Sequence, residues 1–327
     1  MCTSIAYSDR GLYGRNLDLD TPFGEQVVIT PRDFPFTFHH LPPMPHHPAL
    51  TGMATVAHNT PLYAEAANEH GLYMAGLYFP GNAHYFDAPD PAACNVAPFE
   101  LIPLVLGRCK TLAQARELLA TVRLVAEPFA PGFPLAPLHW HIADATGALV
   151  AEPMADGLHL YEDPAGVLTN NPPFPWHQTN LHNYRGLSTA APANSLAPAL
   201  ELPLCGQGFG ALGLPGDASP VSRYLRAVFT KAHAVFGPDR DCGIVQFFHV
   251  LDAVAMVRGT VTTDQGGCDE TRYSSCIDAQ TGTYYYKTYD SGSLHAVTMD
   301  EAARQGSDLR VYPLQARPLF HQDAPVA

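Results

Sequence analysis

The chain begins Met1-Cys2-Thr3-Ser4-Ile5, and a cysteine at position 2 is small enough for a methionine aminopeptidase to remove Met1. Removal would place a thiol and a free α-amine on the same Cα atom. An α-amine titrates at about pH 8, far below a lysine side chain, so it can act as a base beside the nucleophile. A cysteine at this position supports an enzyme only weakly by itself, and its neighbours carry the argument.

The residues that follow predict a β-hairpin whose first strand carries Cys2. Apolar and polar side chains alternate over residues 3–17 about a turn, Ser-Asp-Arg-Gly, at residues 8–11. This pattern is typical of two antiparallel strands. When the turn is centred on its two middle residues, Cys2 lies opposite Leu17.

Two charged residues of the second strand, Arg15 and Asp18, then lie within one or two positions of Cys2. Neighbouring antiparallel residues have Cβ atoms about 5 Å apart. A cation at that distance favours the thiolate form of a cysteine, and a carboxylate can orient the α-amine. The alternative is a surface Arg–Asp pair beside a structural cysteine, since structural ion pairs are more common than active sites.

Composition excludes several classes of function. Hydrophobic residues make up 46% of the 327 residues, which is enough for a sizeable core. The net charge is -13 with 18 Lys and Arg, and no basic run is present, so a nucleic-acid partner is excluded. No apolar stretch approaches the length of a transmembrane helix, and no signal peptide is expected.

The cysteines and histidines predict neither a metal nor a cofactor. Seven cysteines lie at irregular spacings without a CxxC pair, which argues against a disulfide framework or a zinc site and for reduced thiols in the cytoplasm. Four histidines, at positions 39, 40, 46 and 47, lie on a Pro-rich loop over residues 34–48. Adjacent His pairs on such a loop seldom offer fixed ligand geometry.

The order of predicted elements indicates an α+β fold. Helices are predicted over residues 99–106, 115–122, 221–236 and 244–257. Strands are predicted over residues 27–30, 72–79, 138–142, 148–152, 271–278, 283–290, 294–299 and 309–313. Antiparallel sheets with helices packed outside fit this order, and strands at both ends of the chain indicate one domain over residues 1–327.

Six blocks of sequence, collinear along the chain, resemble the choloylglycine hydrolase family of bile salt hydrolases and penicillin V acylases. The first block is the N-terminal hairpin. The others are residues 68–80 (NEHGLYMAGLYFP), 166–172 (GVLTNNP), 213–223 (GLPGDASPVSR), 255–259 (AMVRG) and 284–289 (YYYKTY). The resemblance implies the N-terminal-nucleophile hydrolase fold, a four-layer αββα sandwich of two antiparallel sheets between helix layers, and hydrolysis of a linear amide.

The resemblance also implies a role for each site residue. Cys2 matches the family nucleophile, and Arg15 and Asp18 match the pair that flanks it. Asn170 matches the side chain that donates to the developing oxyanion, and Arg223 matches a second active-site arginine. Tyr78 occupies the position whose backbone amide completes the oxyanion hole. Considered alone, Asn170 would be a turn residue. Arg223 would be a first-turn helix cation, although that position opposes the helix dipole.

These groups can supply the chemistry that an amide requires. The thiolate attacks the carbonyl carbon and forms a thioester, while Asn170 and a backbone N–H stabilise the charge on the oxygen. The α-amine of Cys2, directly or through a water, protonates the leaving amine. The alternative from another class is a non-catalytic binding protein on the same fold.

The residue at position 78 favours one substrate class. This position is commonly Asn in bile salt hydrolases and Tyr in penicillin V acylases. Tyr78 therefore predicts a penicillin V acylase. A bile salt hydrolase that acts on glycine and taurine conjugates and an acyl-homoserine lactone acylase remain the alternatives.

By the same resemblance, three loops form the walls of the acyl pocket. They lie near residues 19–24, 55–62 and 125–137, and their apolar side chains suit a hydrophobic acyl group. Beside Tyr78, the substrate-binding candidates are Phe23, Leu62, Phe133 and Leu135. An apolar pocket discriminates between similar shapes by only about 1–3 kcal/mol, so the acyl group stays open.

A long segment rich in Ala, Pro and Leu, near residues 181–213, carries little charge. In related enzymes the matching excursion helps to assemble tetramers. Its leucines could be buried against a neighbouring subunit, and a homotetramer is predicted.

Overall fold

Two large sheets form the centre of the molecule, whose computed structural model describes residues 1–315, 317, 318 and 320. The strands in chain order are β1 (Cys2–Tyr7), β2 (Leu12–Leu19), β3 (Gln26–Thr30), β4 (Leu50–Ala57), β5 (Thr60–Asn68), β6 (Tyr73–Tyr78), β7 (Cys94–Val96), β8 (Val122–Leu124), β9 (Leu138–Asp144), β10 (Gly147–Met154), β11 (Gly157–Glu162), β12 (Val167–Leu168), β13 (Glu270–Asp278), β14 (Thr283–Thr288), β15 (His295–Thr298) and β16 (Arg310–Pro313).

Six α-helices accompany these strands in the described part of the chain. They are α1 (Leu101–Arg108), α2 (Leu112–Leu119), α3 (Phe174–Asn180), α4 (Pro220–His233), α5 (Arg240–Asp252) and α6 (Glu301–Arg304). Within the described residues, no helix combines the length and the apolar character needed to cross a membrane.

The sheets and helices form four layers. One sheet has six strands in the order β12-β1-β2-β13-β14-β15, and the other has eight in the order β11-β10-β9-β6-β5-β4-β3-β16. Helices α4 and α5 pack against the six-stranded sheet, and α1 and α2 pack against the eight-stranded sheet. The predicted αββα architecture with antiparallel sheets is confirmed.

Two apolar clusters hold the layers together. Between the sheets, Tyr13 of β2 packs with Tyr73 and Leu77 of β6. On the other face of the eight-stranded sheet, Trp140 packs with Leu104 of α1. All five side chains are fully or almost fully buried, and burial of each such side chain stabilises the fold by about 1.5–3 kcal/mol.

The N-terminal hairpin has the predicted register, with Cys2 opposite Leu17. Gly11 closes its turn at a φ of 60°, a left-handed conformation that glycine adopts without a Cβ clash. The other edge of β1 pairs with β12, where Ser4 lies opposite Leu168. Because β12 ends two residues before Asn170, this pairing brings Asn170 to the start of β1.

The helix predicted over residues 115–122 begins and ends earlier. The Thr111 hydroxyl accepts a hydrogen bond from the backbone nitrogen of Gln114 at 3.3 Å, so the first helical turn follows the cap directly. Val122 belongs to β8 instead.

The two later helices also differ from their predicted limits. α4 ends at His233 rather than at residue 236, because the backbone at Ala234 is extended. Asp239 accepts a hydrogen bond from the backbone nitrogen of Cys242 at 2.7 Å. This cap starts α5 four residues before its predicted start, and the helix ends at Asp252 rather than at residue 257.

The wall expected as a loop near residues 55–62 is a hairpin, which corrects the prediction. Strands β4 and β5 meet at His58-Asn59, and both residues have positive φ angles, 48° and 58°. Such a two-residue turn matches the twist of the flanking strands. Strand β11 was also missing from the predicted elements.

Candidate active site

Cys2 lines a cavity of about 580 Å³, within the usual range of small-molecule sites. The residue is 4% exposed. Arg15 and Leu17 of β2 and Tyr78 of β6 line the cavity beside it. The pleat explains this arrangement, because residues at alternate positions of a strand face the same side.

Asn170 connects Cys2 with the end of β6. Its side-chain oxygen accepts a hydrogen bond from the backbone nitrogen of Cys2 at 2.9 Å, and its side-chain nitrogen donates to the carbonyl of Tyr78 at 2.6 Å. An amide nitrogen carries two hydrogens, so one N–H of Asn170 is not used by this bond.

Arg223, in the first turn of α4, binds the same two residues. It is fully buried and donates to the Cys2 carbonyl, to the Thr3 hydroxyl at 2.7 Å and to the side-chain oxygen of Asn170 at 2.7 Å. Burial lowers the pKa of Arg223, and the negative charges of Asp18 and Cys2 oppose this shift. These acceptors explain a cation at a helix end that disfavours it.

Asp18 is fully buried near the amino terminus. One carboxylate oxygen accepts a hydrogen bond from Thr271 at 2.6 Å, and the other has no partner among the described residues. Burial raises the pKa of Asp18, while Arg223 and the terminal ammonium oppose that shift. The amine of Met1 donates to the main-chain carbonyl of Asp18, so Asp18 lies beside the amino terminus.

Arg15 is also fully buried, and only part of its guanidinium is engaged. Its Nη1 donates to the carbonyls of Gly76 at 2.6 Å and Ala64 at 3.2 Å. Its Nε and Nη2 have no partner in the described part of the chain. Burial alone would lower the pKa of Arg15, but the nearby negative charges of Cys2 and Glu65 raise it.

The predicted substrate-binding residues surround the same cavity. It is lined by Phe23, Leu62, Tyr78, Phe133 and Leu135. Leu62 comes from strand β5 rather than from a loop. Cys2, Arg15 and the five substrate-binding candidates thus line one cavity. Asn170 and Arg223 lie outside this lining and are hydrogen-bonded to Cys2, and Asp18 is hydrogen-bonded to Met1.

The histidine-rich loop contacts one wall of the cavity. The ring nitrogens of His39 and His40 lie 2.9 Å and 3.0 Å from the carboxylate of Glu127, and Glu127 lines the cavity. The contact between these histidines and Glu127 was not predicted, because the residues are far apart in the chain. Among the described residues, no group of three or more potential ligands is arranged to hold a metal ion.

Sequence reasoning also missed the residues that support Asn170 from behind. His139 binds the Thr169 carbonyl at 2.9 Å and lies 3.1 Å from Glu152, and His177 binds the Asn170 carbonyl at 3.1 Å. All three side chains are buried. The alternation of His139 and His141 with apolar residues on β9 was a signal of polar groups on one face of that strand.

Comparison with known proteins shows the family of the chain. Residues 2–312 match the family described as linear amide C-N hydrolases, choloylglycine hydrolase family. The chain belongs to this family. It is a linear amide hydrolase with a cysteine at the position from which the N-terminal-nucleophile assignment was made.

Individual relatives of this hydrolase cover its whole length. A bile salt hydrolase/transferase of Lactiplantibacillus plantarum is 39% identical over 322 residues, which are 98% of this chain and 99% of the relative. The structure of a mutant conjugated bile acid hydrolase from Clostridium perfringens has a TM-score of 0.91 and 32% identity and covers 98% of this chain and 99% of that chain. A penicillin V acylase from Agrobacterium tumefaciens shares the fold, with a TM-score of 0.76 and 17% identity. The match covers 97% of this chain and 92% of that chain.

Proposed function

We propose that this hydrolase cleaves the amide bond of bile acids conjugated to glycine or taurine. The observation that carries the proposal is the apolar cavity lined by Cys2, in a chain whose full-length relatives at 32% identity and above are named bile salt or bile acid hydrolases. Tyr78, which predicted penicillin V as the substrate, is weaker support than these relatives, since the penicillin V acylase is only 17% identical and shares only the fold.

The size and lining of the cavity support a bulky acyl group. The cavity holds about 580 Å³, and its lining includes the apolar side chains of Phe23, Leu62, Phe129 and Phe133. A steroid acyl group is rigid and apolar and can fill such a space, whereas the smaller phenoxyacetyl group would leave much of it empty.

The proposed first step is acyl transfer to Cys2. After Met1 is removed, the free α-amine takes the thiol proton, and the thiolate attacks the amide carbon. A C–S bond forms and the C–N bond breaks, while the α-amine returns the proton to the departing glycine or taurine nitrogen. Water then attacks the thioester, which releases the bile acid and restores the thiol.

Hydrogen-bond donors and charged side chains around Cys2 stabilise the charges of this step. The unused N–H of Asn170 and the backbone N–H of Tyr78 donate to the developing oxyanion. The free edge of Arg15 stabilises the thiolate. Asp18 and the side-chain oxygen of Asn170 hold the α-amine, and Arg223 fixes Asn170 against Cys2.

A hydrolysis panel tests the proposal. Purified protein lacking Met1 is offered glycine and taurine conjugates of bile acids, penicillin V and acyl-homoserine lactones. The bile acid conjugates should be cleaved with the highest kcat/KM, and Cys2→Ala and Cys2→Ser should abolish cleavage. Preference for penicillin V or a lactone would replace this substrate assignment, and no cleavage of any amide would refute the mechanism.

Acyl transfer to an amine is a second candidate activity. The relative with 39% identity is named a hydrolase/transferase, and a thioester can be attacked by an amine as well as by water. Incubation of a bile acid conjugate with an excess of another amino acid should yield the exchanged amide. Its yield should rise with amine concentration while the free bile acid falls. Hydrolysis with no exchanged product would limit the proposal to water as the acceptor.

A further inference from the structure

A fully buried carboxylate that this mechanism does not use lies between the two sheets. Glu65 projects from β5 and accepts hydrogen bonds from three hydroxyls of the six-stranded sheet. The donors are Tyr284 at 2.5 Å, Tyr273 at 2.6 Å and Ser275 at 3.1 Å. Burial raises the pKa of Glu65, whereas Arg15 and these hydroxyl donors oppose that shift by favouring the charged carboxylate.

Arg15 joins the same cluster. Its Nη1 lies 3.7 Å from the Glu65 carboxylate and also binds the carbonyls of Ala64 and Gly76. A guanidinium is rigid and planar with five N–H donors. Fixing Nη1 therefore determines where Nε and Nη2 point, and these two nitrogens belong to the residue that lines the cavity with Cys2.

The surrounding hydroxyls can act only as donors here. Burial, and after it the charge of Glu65, raises the pKa of both Tyr273 and Tyr284 well above the ordinary value. The phenols stay protonated and keep Glu65 in place. Without its carboxylate, Arg15 would be a buried cation with carbonyls as its only acceptors, and a buried charge without a partner is costly.

We propose that Glu65 is a positioning residue for Arg15. It keeps one edge of the guanidinium on the strand carbonyls so that the other edge faces the Cys2 thiol. Glu65 itself does not line the cavity and touches no substrate. The inference rests on the proposed roles of Cys2 and Arg15.

The test compares Glu65→Gln with the parent protein, both without Met1. Two quantities are measured: kcat and KM for a bile acid conjugate, and the pH dependence of Cys2 alkylation by iodoacetamide. Alkylation is followed on the N-terminal peptide by mass spectrometry, because Cys205, Cys242 and Cys268 are also exposed. This second readout needs no substrate.

We expect Glu65→Gln to lower kcat about 10²-fold with little change in KM, since a misplacement of about 1 Å costs this much. The midpoint of alkylation should move to higher pH, because a displaced Arg15 stabilises the Cys2 thiolate less. A shift to lower pH, which removal of a nearby anion alone would cause, would contradict a positioning role for Glu65.

Two further variants separate positioning from stability. Glu65→Asp keeps the charge and should restore the alkylation midpoint and part of kcat. Asp278→Asn removes another buried carboxylate, which lies on β13 of the six-stranded sheet and pairs with Arg240 near the turn of the N-terminal hairpin. It should lower the melting temperature and leave kcat and the midpoint unchanged.

The outcomes are distinct. Parent-like kcat and midpoint in Glu65→Gln, or the same changes in Asp278→Asn, would overturn the inference. If Glu65→Gln does not fold, Tyr284→Phe removes one donor that holds Glu65, so it should lower kcat and move the midpoint to higher pH, each to a smaller extent; an unchanged kcat would also refute the proposal. If the parent cleaves no amide, the proposed function fails while the alkylation midpoint still decides the role of Glu65.

Discussion

The backbone nitrogen of Cys2 donates a hydrogen bond to the side-chain oxygen of Asn170 at 2.9 Å, across 168 residues of sequence. When Met1 leaves, this nitrogen becomes the proposed α-amine. The other end of the Asn170 side chain lies on the Tyr78 carbonyl. One amide group therefore contacts both the proposed base and the proposed oxyanion site.

Asn170→Ala should fold and lose most of its activity. Loss of one oxyanion donor typically lowers kcat by about 10²–10³-fold, and the variant also loses an acceptor for the α-amine. The matched control is Asn171→Ala, whose side chain binds the carbonyl of Pro80 instead and should leave kcat within a few-fold of the parent. Parent-like turnover by Asn170→Ala would refute its assignment.

Protein that retains Met1 should be inactive, because its amine lies one residue away from the thiol. Intact mass distinguishes the two forms by one methionine. Treatment of the protein that retains Met1 with methionine aminopeptidase should restore activity in proportion to the fraction of molecules that lose Met1. Full turnover by protein whose mass includes Met1 would exclude the α-amine of Cys2 as the base.

Acidification should destabilise the fold partly through His177. Burial lowers the pKa of His177 from 6.5 to about 4, so the unfolded chain binds a proton in this interval that the folded protein does not. Stability contributed by neutral His177 is therefore present above pH 6.5 and is lost as pH falls toward 4. The loss amounts to about 3 kcal/mol, since one pKa unit corresponds to about 1.4 kcal/mol.

Urea unfolding at pH 7 and pH 4.5 measures this effect. The parent should lose more stability between the two values than His177→Gln, which cannot take up the proton. Exposed His46, paired with Asp33 on the surface, provides a control, and His46→Gln should keep the pH dependence of the parent. Equal slopes for the parent and His177→Gln would contradict the prediction.

Truncation of the cavity wall should affect long acyl groups selectively. Phe133→Ala removes a ring that packs against Phe129 with centroids 5.1 Å apart. We expect kcat/KM for a bile acid conjugate to fall by about 10- to 100-fold, corresponding to about 1–3 kcal/mol of apolar contact, with a smaller change for a short acyl amide. Trp176→Ala, which removes a half-exposed ring outside the cavity lining, is the control, and an equal loss for both substrates would argue against this wall as the acyl site.

The segment near residues 181–213 should mediate assembly, as proposed from the resemblance. Four of its leucines, Leu196, Leu200, Leu202 and Leu204, are 49–89% exposed in the isolated chain. Light scattering should report a homotetramer that the combined change of these four residues to Ser dissociates. A monomeric parent would refute this proposal of assembly.

The same four-residue variant tests the proposal that residues 1–327 form one domain. A single unfolding transition that coincides by fluorescence and circular dichroism would support it.

The local part of the site could be predicted from the sequence. The register of the first hairpin follows from its alternation and its turn, which is why Leu17 and Arg15 were placed beside Cys2 correctly. The helix limits were less accurate, because a cap such as Asp239 competes with apolar periodicity in setting the first turn. The β4–β5 hairpin was missed, since the Asn59 turn depends on backbone angles that the composition of that stretch does not reveal.

The sequence by itself determined the neighbours of the proposed nucleophile within the hairpin and, through collinear motifs, the family and its layered architecture. Only the tertiary structure decided that Glu65 lies beneath Arg15, that Glu127 is held by His39 and that one cavity collects its walls from distant elements. The physical reason is range: pleat and turn geometry act over a few residues, whereas a buried charge is placed by whichever sheet packs against it.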